Sequence, residues 1–277
     1  MTEADLLGAG DQSRAYRLGE ASVLRVFSTQ TPLTQVRALD AFYRGLDTRA
    51  VTFAVPRFDE VLQVGEATCV VEARIPGMAL SRFLARARPE DRKRALANYM
   101  VAAGEIQAIA FDAPYHGQIL GPAPVRAESW PAYLVSRVAA SLVDAPWAQA
   151  DLTAPARVLE LFDGLAQARA GAPRRLAHGD YHPGNVLVDE AGAVTGVIDF
   201  SVQAVMGDPL LDLTSAAFFL DDKADRAYAA SQAEGIAGFE EATRLYWLYY
   251  SFFYLSSKAT KPALYALCAR SLNRALD

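Results

Sequence analysis

One irregular loop constrains this chain more than any other segment: the stretch HGDYHPGN, residues 178–185. Gly179, Pro183 and Gly184 interrupt it, and a proline also moves the residue before it away from helical dihedrals. Its two histidines, four residues apart, therefore do not share a helical face as they do in helical zinc sites. Carboxylates could still complete a zinc shell here, but nothing in the spacing says which ones would.

The spacing within this loop has a second interpretation that needs no zinc. His178, Asp180 and Asn185 follow the pattern H-x-D-x-x-x-x-N of kinase catalytic loops, where the aspartate orients the acceptor hydroxyl and takes its proton, and the asparagine binds magnesium. Residues 186–198 predict two short strands around a polar turn, and such a hairpin returns Asp199 beside Asn185. The loop therefore predicts catalytic roles for Asp180, Asn185 and Asp199. The last two would be metal ligands, because magnesium prefers oxygen donors.

Three motifs in order, HGDYHPGN, GVIDF and GDPLLDL, resemble the aminoglycoside phosphotransferase family. This is the small-molecule branch of the protein-kinase-like fold, which includes choline, fructosamine and homoserine kinases. The resemblance implies an α+β, two-lobed fold with a small antiparallel-sheet N-lobe and a larger helical C-lobe. It also implies Mg²⁺ and ATP, or GTP, as cofactors, and a small-molecule hydroxyl as acceptor, on an antibiotic such as an aminoglycoside or on a metabolite.

The hydrophobic periodicity agrees with this layout. Residues 1–76 have the pattern of strands with one inserted helix, and we predict that they form the nucleotide-binding lobe. Residues 77–277 would form the helical lobe with the catalytic loop and the substrate site, interrupted only by the hairpin. The predicted helices of this lobe cover residues 89–110, 130–143, 155–168 and 239–276.

Two segments of the first lobe are candidates for nucleotide contacts. VVEARIPG resembles the family's hinge, which implies that Ala73 and Ile75 offer backbone groups to the base, with Glu72 just behind them. In LLGAGDQSRAYRL, amides near Gly10 could approach phosphate oxygens, and the Ser13 hydroxyl is our candidate contact to the β-phosphate. An ordinary turn explains the glycines equally well.

Two positions depart from the kinase pattern. Arg25 stands where a kinase strand carries lysine, and the next helix offers Gln35 where the glutamate partner is expected. Arginine keeps its charge and can bind two phosphate oxygens, so we predict that Arg25 contacts phosphate without an ion-pair partner. The alternative is an exposed strand arginine. These departures leave open a nucleotide-binding pseudokinase or regulatory protein acting through a partner.

Supporting and substrate-binding roles remain as alternatives. The resemblance implies that His178 hydrogen-bonds backbone near Asp199. We expect His182 to pack within the loop, with a direct substrate contact as the alternative. Asp208 either braces the catalytic segment, as the resemblance implies, or begins the helix at Pro209. The acceptor candidates, with core packing and solvated helix starts as the alternative, are Asp221, Asp222, Glu240, Glu241, Trp247, Tyr250 and Tyr254.

Composition narrows the partners and the location. A net charge of −5 argues against nucleic acid, whose backbone requires a positive field. It would suit a cationic substrate, although solubility alone also explains it. Cys69 and Cys268 give no disulfide framework, and neither a signal sequence nor a convincing membrane span is visible. We therefore expect a cytoplasmic protein away from membranes; the sequence does not predict its oligomeric state.

Overall fold

A five-stranded antiparallel sheet forms the amino-terminal end of the computed structural model, which describes residues 5–10 and 13–276. The spatial order of the strands is β1-β2-β3-β5-β4, and one helix, α1, is inserted between β3 and β4. These elements are β1 (Leu6–Ala9), β2 (Ser13–Leu18), β3 (Ser22–Phe27), α1 (Leu33–Gly45), β4 (Phe58–Val64) and β5 (Ala67–Ala73). Gly19 turns the chain between β2 and β3 with a φ of +70°, a conformation that glycine adopts without steric cost.

Helices are the main secondary structure after β5. They are α2 (Leu80–Leu84), α3 (Pro89–Glu105), α4 (Trp130–Asp144), α5 (Ala148–Asp151), α6 (Pro155–Ala168), α7 (Leu210–Phe218), α8 (Lys223–Ser231), α9 (Phe239–Phe253) and α10 (Pro262–Asn273). Four of them carry proline in the first turn, where its missing N–H costs no hydrogen bond. The predicted helix 155–168 is confirmed, whereas the predicted helix 239–276 is two helices, because Pro262 begins a new one.

Two small sheets lie among these helices. One has the order β11-β10-β6 and the other the order β8-β7-β12-β9. Their strands are β6 (Met78–Ala79), β7 (His116–Gln118), β8 (Arg126–Ala127), β9 (Arg175–Ala177), β10 (Val186–Val188), β11 (Val194–Val197) and β12 (Val205–Gly207). The predicted hairpin is confirmed as β10 and β11, but the prediction that only this hairpin interrupts the helices is wrong. Strands of two or three residues are too short for an alternating pattern to show in the sequence.

Aromatic packing fixes α1 against the segment that follows the hairpin. The ring centroid of Phe42 lies 5.8 Å from that of Phe200, and the Tyr43 ring lies 5.3 Å from Phe58 of β4. Phe42, Tyr43, Phe58 and Phe200 are all buried. The helix thus ties the amino-terminal sheet to the residue next to Asp199.

The observed architecture is the predicted one: an α+β protein with a small antiparallel-sheet lobe and a larger helical lobe. The division of the chain at residues 76 and 77 stays a prediction. Within the described ranges, no helix combines the length and the apolar character that crossing a membrane requires.

Candidate active site

The β10–β11 hairpin brings Asn185 and Asp199 together. The strands pair antiparallel with Val186 opposite Val197, so Asn185 lies opposite Ile198, and Asp199 follows directly in the chain. A backbone hydrogen bond from Ile198 N to Asn185 O, 2.9 Å long, closes the hairpin at this end. The predicted proximity of the two residues is therefore confirmed, although they are fourteen positions apart in the sequence.

Asn185 is oriented by the loop that precedes it. Its Nδ2 donates to the backbone oxygen of Asp180 at 3.0 Å. Because that partner is a carbonyl, the amide nitrogen must face it, which leaves Oδ1 as the atom able to bind a cation. The Asp180 side chain is about one-third exposed, so its carboxylate remains accessible beside this amide.

Asp199 has an unusual backbone conformation. Among the residues that the structure describes, it is the one non-glycine residue with a positive φ, at 67°. This conformation costs roughly 1–2 kcal/mol for a residue with a Cβ, and such residues concentrate at functional sites. Its side chain is 52% exposed, so the carboxylate is accessible from solvent and not buried in the core.

His178 is a structural support with both ring nitrogens engaged. Nε2 donates to the carbonyl of Ile198 at 2.9 Å, and Nδ1 accepts from the amide of Asp180 at 3.2 Å. Complete burial lowers the pKa of His178, which keeps the ring neutral. The predicted bond to backbone near Asp199 is confirmed, and an imidazole with two occupied nitrogens does not supply a zinc ligand.

His182 lies on the open side of the same loop. Its Nδ1 accepts from the amide of Gly184 at 3.0 Å, which matches the expected packing within the loop. Its Nε2 is 3.9 Å from a carboxylate oxygen of Asp180, and its ring centroid is 5.8 Å from that of Phe219. His182 therefore stands between Asp180 and a group of aromatic side chains.

The brace beneath the catalytic loop is Asp212. Its two carboxylate oxygens accept from the amides of His178 and Gly179 at 2.6 and 2.9 Å. Burial raises the pKa of Asp212 to about 7, and the two amide hydrogen bonds oppose this shift. The expectation that Asp208 is the brace is wrong. Its alternative, that Asp208 begins the helix at Pro209, is confirmed, because Asp208 accepts from Leu210 N at 3.0 Å at the start of α7.

Asp208 also belongs to a buried polar group away from the loop. It accepts from Arg169 Nε and from the Tyr246 hydroxyl, each at 2.7 Å. The hydroxyl of Tyr246 in turn accepts from the indole of Trp130 at 2.8 Å. These partners satisfy the carboxylate and join α4 and α9 to the end of α6 and the start of α7.

Arg25 lies between two carboxylates. Its Nη1 is 2.8 Å from Asp199 Oδ1, and its Nη2 is 3.1 Å from Glu72 Oε1. Its side chain is 12% exposed, which excludes the exposed strand arginine. The prediction that Arg25 has no ion-pair partner is also wrong. The sequence predicted Glu72 only as the residue behind the hinge. Its ion pair with Arg25 results from the register of β3 and β5.

The remaining nucleotide-site candidates lie around this arginine. Gly10 N donates to Ser13 O at 2.9 Å, and Ser13 Oγ is 3.4 Å from Arg25 Nη1. Residues 11 and 12 of the predicted phosphate loop lie outside the described residues. Ala73 N donates to Arg57 O at 3.4 Å, and Ile75 packs so closely over Gly196 that a Cβ there would lie 2.6 Å from Ile75 Cγ2.

Aromatic side chains line the region next to Asp180. We call them the aromatic wall: Phe218, Phe219, Tyr250 and Tyr254. The centroids of Tyr250 and Tyr254 lie 5.2 and 5.9 Å from that of Phe219, and Phe218 stacks on Tyr250 at 5.4 Å. The hydroxyl of Tyr250 donates to the carbonyl of Gly179 at 3.1 Å, which joins the wall to the catalytic loop.

Other acceptor candidates have structural partners. The Trp247 indole donates to Thr214 O at 3.4 Å, and its ring packs on Phe218 at 5.7 Å. Asp222 caps α8 by accepting from two amides at 2.8 and 2.9 Å. Asp221, Glu240 and Glu241 are exposed.

A family model, the phosphotransferase enzyme family (APH), matches residues 4–247, which is most of the chain. The chain belongs to this family. The resemblance predicted from HGDYHPGN, GVIDF and GDPLLDL is therefore confirmed, and membership makes the protein a phosphotransferase. No curated protein sequence matches the chain significantly.

Solved structures of phosphotransferases share the fold. The gentamicin complex of APH(2'')-IIa is 15% identical, covers 97% of this chain and 90% of its own, and gives a TM-score of 0.65. The GDP complex of aminoglycoside 2'-phosphotransferase-IIIa is 16% identical, covers 98% of this chain and 91% of its own, and gives a TM-score of 0.63. The complex of APH(3'')-Id from Streptomyces rimosus with ADP and streptomycin is 16% identical, covers 94% of this chain and 90% of its own, and gives a TM-score of 0.57. At these identities the likeness establishes the kinase-like fold that the sequence predicted.

Proposed function

We propose that this phosphotransferase is a magnesium-dependent kinase that transfers the γ-phosphate of ATP, or of GTP, to a hydroxyl group of a small molecule. The observation that carries the proposal is the convergence of Asp180, Asn185 and Asp199 at the mouth of the β10–β11 hairpin. Similar phosphotransferase structures contain GDP or ADP, which supports a nucleotide as co-substrate.

The donor atoms of Asn185 and Asp199 fit a magnesium ion. The Oδ1 of Asn185 and the carboxylate of Asp199 are hard oxygen ligands, and the backbone of Asn185 is hydrogen-bonded to that of Ile198, the residue before Asp199. Magnesium completes its shell with water and phosphate oxygens. When bound, the ion would neutralise phosphate charge during transfer. Asn185 and Asp199 would hold it, and the brace from Asp212 would keep in place the loop that leads to Asn185.

Arg25, Ser13 and the amide near Gly10 would bind the phosphates, while backbone groups of Ala73 and Ile75 would bind the base. The fixed guanidinium can donate to two phosphate oxygens at once. Its position 2.8 Å from Asp199 places positive charge next to the proposed metal ligand, where phosphate would also lie.

Asp180 would act on the acceptor. Its carboxylate would orient the acceptor hydroxyl, whose oxygen attacks the γ-phosphorus while the bond to the β–γ bridging oxygen breaks. The nucleoside diphosphate leaves, and the hydroxyl proton passes to Asp180 late in the reaction. The exposed third of its side chain, next to His182, provides access for the acceptor.

The acceptor would bind between Asp180 and the aromatic wall. Gentamicin and streptomycin in the similar structures make an aminoglycoside one candidate, and a hydroxylated metabolite is the other. The net charge of −5 favours a cationic acceptor over nucleic acid. The buried thiols of Cys69 and Cys268 agree with a reducing, cytoplasmic location.

Nucleotide consumption against a mixed acceptor panel tests this proposal. The panel contains aminoglycosides, macrolides, choline, homoserine, methylthioribose and fructosamines, with ATP or GTP and magnesium. We expect a turnover that Asp180→Asn lowers by at least about 100-fold, as loss of a general base does, with little change in KM. An Asp180→Asn rate close to the wild-type rate would remove Asp180 from the chemistry.

A nucleotide-binding protein without turnover is the second candidate. The observation that favours it is the Arg25–Asp199 ion pair, which engages an oxygen of the proposed metal ligand. A magnesium nucleotide that raises Tm, together with silence across the panel, would favour this candidate. Any acceptor-dependent turnover lost in Asp180→Asn would exclude it.

A further inference from the structure

The charge partner of Arg25 comes from the sheet and not from the helix. In the β3–β5 pairing Val23 is opposite Glu72, and Arg25 is two positions further along β3, so its side chain emerges on the same face. Arg25 Nη2 reaches Glu72 Oε1 at 3.1 Å across this face. Glu72 is 6% exposed, so solvent does not compete for the pair as it does at a surface.

Helix α1 offers no carboxylate at this place. Its one acidic residue, Asp40, pairs with Arg44 of the same helix at 2.9 Å. The α1 residue that reaches the charged cluster is Tyr43, which is buried and lies within electrostatic range of Arg25. Gln35, two turns earlier, is only partly buried. A neutral side chain thus faces Arg25 from the helix.

Each partner also keeps one unused polar atom. Arg25 Nε and Glu72 Oε2 are both buried and have no hydrogen-bond partner among the described residues. They are a donor and an acceptor, and together with Nη2 and Oε1 they are the four atoms of a bidentate arginine–carboxylate pair. Only one of the two possible hydrogen bonds is formed while Nη1 is bound to Asp199.

We propose that Glu72 is the positioning residue for Arg25. Glu72 holds the Nη2 side of the guanidinium, so that Nη1 can exchange Asp199 for a phosphate oxygen when metal and nucleotide bind. Release of Nη1 from Asp199 lets the second Arg25–Glu72 hydrogen bond close through Nε and Oε2. This inference rests on the proposed contact of Arg25 with phosphate.

The test separates the phosphate part of the nucleotide from its base. Isothermal titration calorimetry of Glu72→Gln measures the Kd of magnesium–ATP and the Kd of adenosine. If GTP binds more tightly than ATP, magnesium–GTP and guanosine take their place. We expect a Kd for the nucleotide about tenfold weaker, and a Kd for the nucleoside within about twofold of wild type. Exposed Glu60 on β4 provides the matched control, and Glu60→Gln should change neither Kd.

A double-mutant cycle shows whether Glu72 acts through Arg25. Arg25→Ala should weaken nucleotide binding, and adding Glu72→Gln to it should weaken binding no further. Additive losses, an unchanged nucleotide Kd in Glu72→Gln, or an equal loss for the nucleoside would overturn the inference. An unchanged Kd in Arg25→Ala would instead overturn the proposed phosphate contact, and the role of Glu72 with it.

Removing one charge from a buried pair can prevent folding. If Glu72→Gln does not fold, Glu72→Asp takes its place, because it keeps the charge and shortens the side chain by one methylene. The same difference between nucleotide and nucleoside is expected. Equal effects on both ligands would again contradict the inference.

Discussion

Gly179, directly before the proposed base, is a position where the structure leaves no room for a side chain. Its φ is +74°, and an added Cβ would lie 2.0 Å from the backbone oxygen of Gln203. The residue is held on two sides, because its amide donates to Asp212 at 2.9 Å and its carbonyl accepts from Tyr250 at 3.1 Å. Gly179→Ala therefore forces either the catalytic loop or the Gln203 segment to move.

The cost of this substitution has two parts. A left-handed conformation with a Cβ costs about 1–2 kcal/mol. Forcing an extra methyl group into a packed site costs about 1–3 kcal/mol more. The sum is about 2–5 kcal/mol, and at about 2–4 °C per kcal/mol for a domain near this size, Tm should fall by about 4–20 °C.

Two other glycines separate these contributions. Gly19 has nearly the same φ, +70°, but nothing within 4 Å of an added Cβ, so Gly19→Ala should show only the first part. Gly164 lies in α6 with open space around it, and Gly164→Ala should raise stability by about 0.5–1 kcal/mol through helix propensity. Differential scanning calorimetry of the three variants measures the difference. If Gly179→Ala and Gly19→Ala unfold at the same temperature, the close approach to Gln203 is absent.

Three further predictions concern the brace, the thiols and the aromatic wall. Burial raises the pKa of Asp212 to about 7, whereas an aspartate in an unfolded chain has a pKa of about 3.9. The bound proton therefore stabilises the folded state fully below pH about 4, and this stabilisation is lost as the pH rises through about 7. Asp212→Asn cannot ionise, so its Tm deficit relative to wild type should shrink between about pH 5 and pH 8; a deficit that grows would contradict this. Burial raises the pKa of the Cys268 thiol to about 11 and also raises that of Cys69, so both should react slowly with Ellman's reagent at pH about 8 until the protein unfolds. Phe219→Ala should raise the KM of the acceptor by about 10-fold or more and leave that of the nucleotide unchanged, because it removes wall area and touches no phosphate contact; equal changes in both constants would place Phe219 elsewhere.

Local spacing was sufficient to predict the centre of the candidate site. The positions of Asp180, Asn185 and Asp199 follow from one loop and one hairpin, whose strands lie within fourteen residues. Over such a distance the alternating pattern fixes register, and register fixes which residues meet. The helix at residues 155–168 was predicted for a similar reason, since proline marks its start and apolar residues follow at helical spacing.

Contacts between distant segments were not predictable in the same way. Arg25 and Glu72 are 47 residues apart, and only the pairing of β3 with β5 shows that they share a face. The sequence singled out Asp208 as the brace, but it is the carboxylate of Asp212 that points from α7 toward the catalytic loop. Both outcomes are set by tertiary packing, which single-sequence patterns do not encode.

We propose above all that Asn185 and Asp199 hold a magnesium nucleotide. Isothermal titration of ATP or GTP, with magnesium and with EDTA, in wild type and Asp199→Asn tests it most directly. Asparagine also tolerates the left-handed backbone at this position, so the variant changes the charge and not the fold. We predict that magnesium tightens nucleotide binding to the wild type by at least about tenfold and that Asp199→Asn loses this gain. A wild-type nucleotide Kd that is the same with magnesium and with EDTA, or an Asp199→Asn variant that keeps the full effect of magnesium, would contradict this prediction.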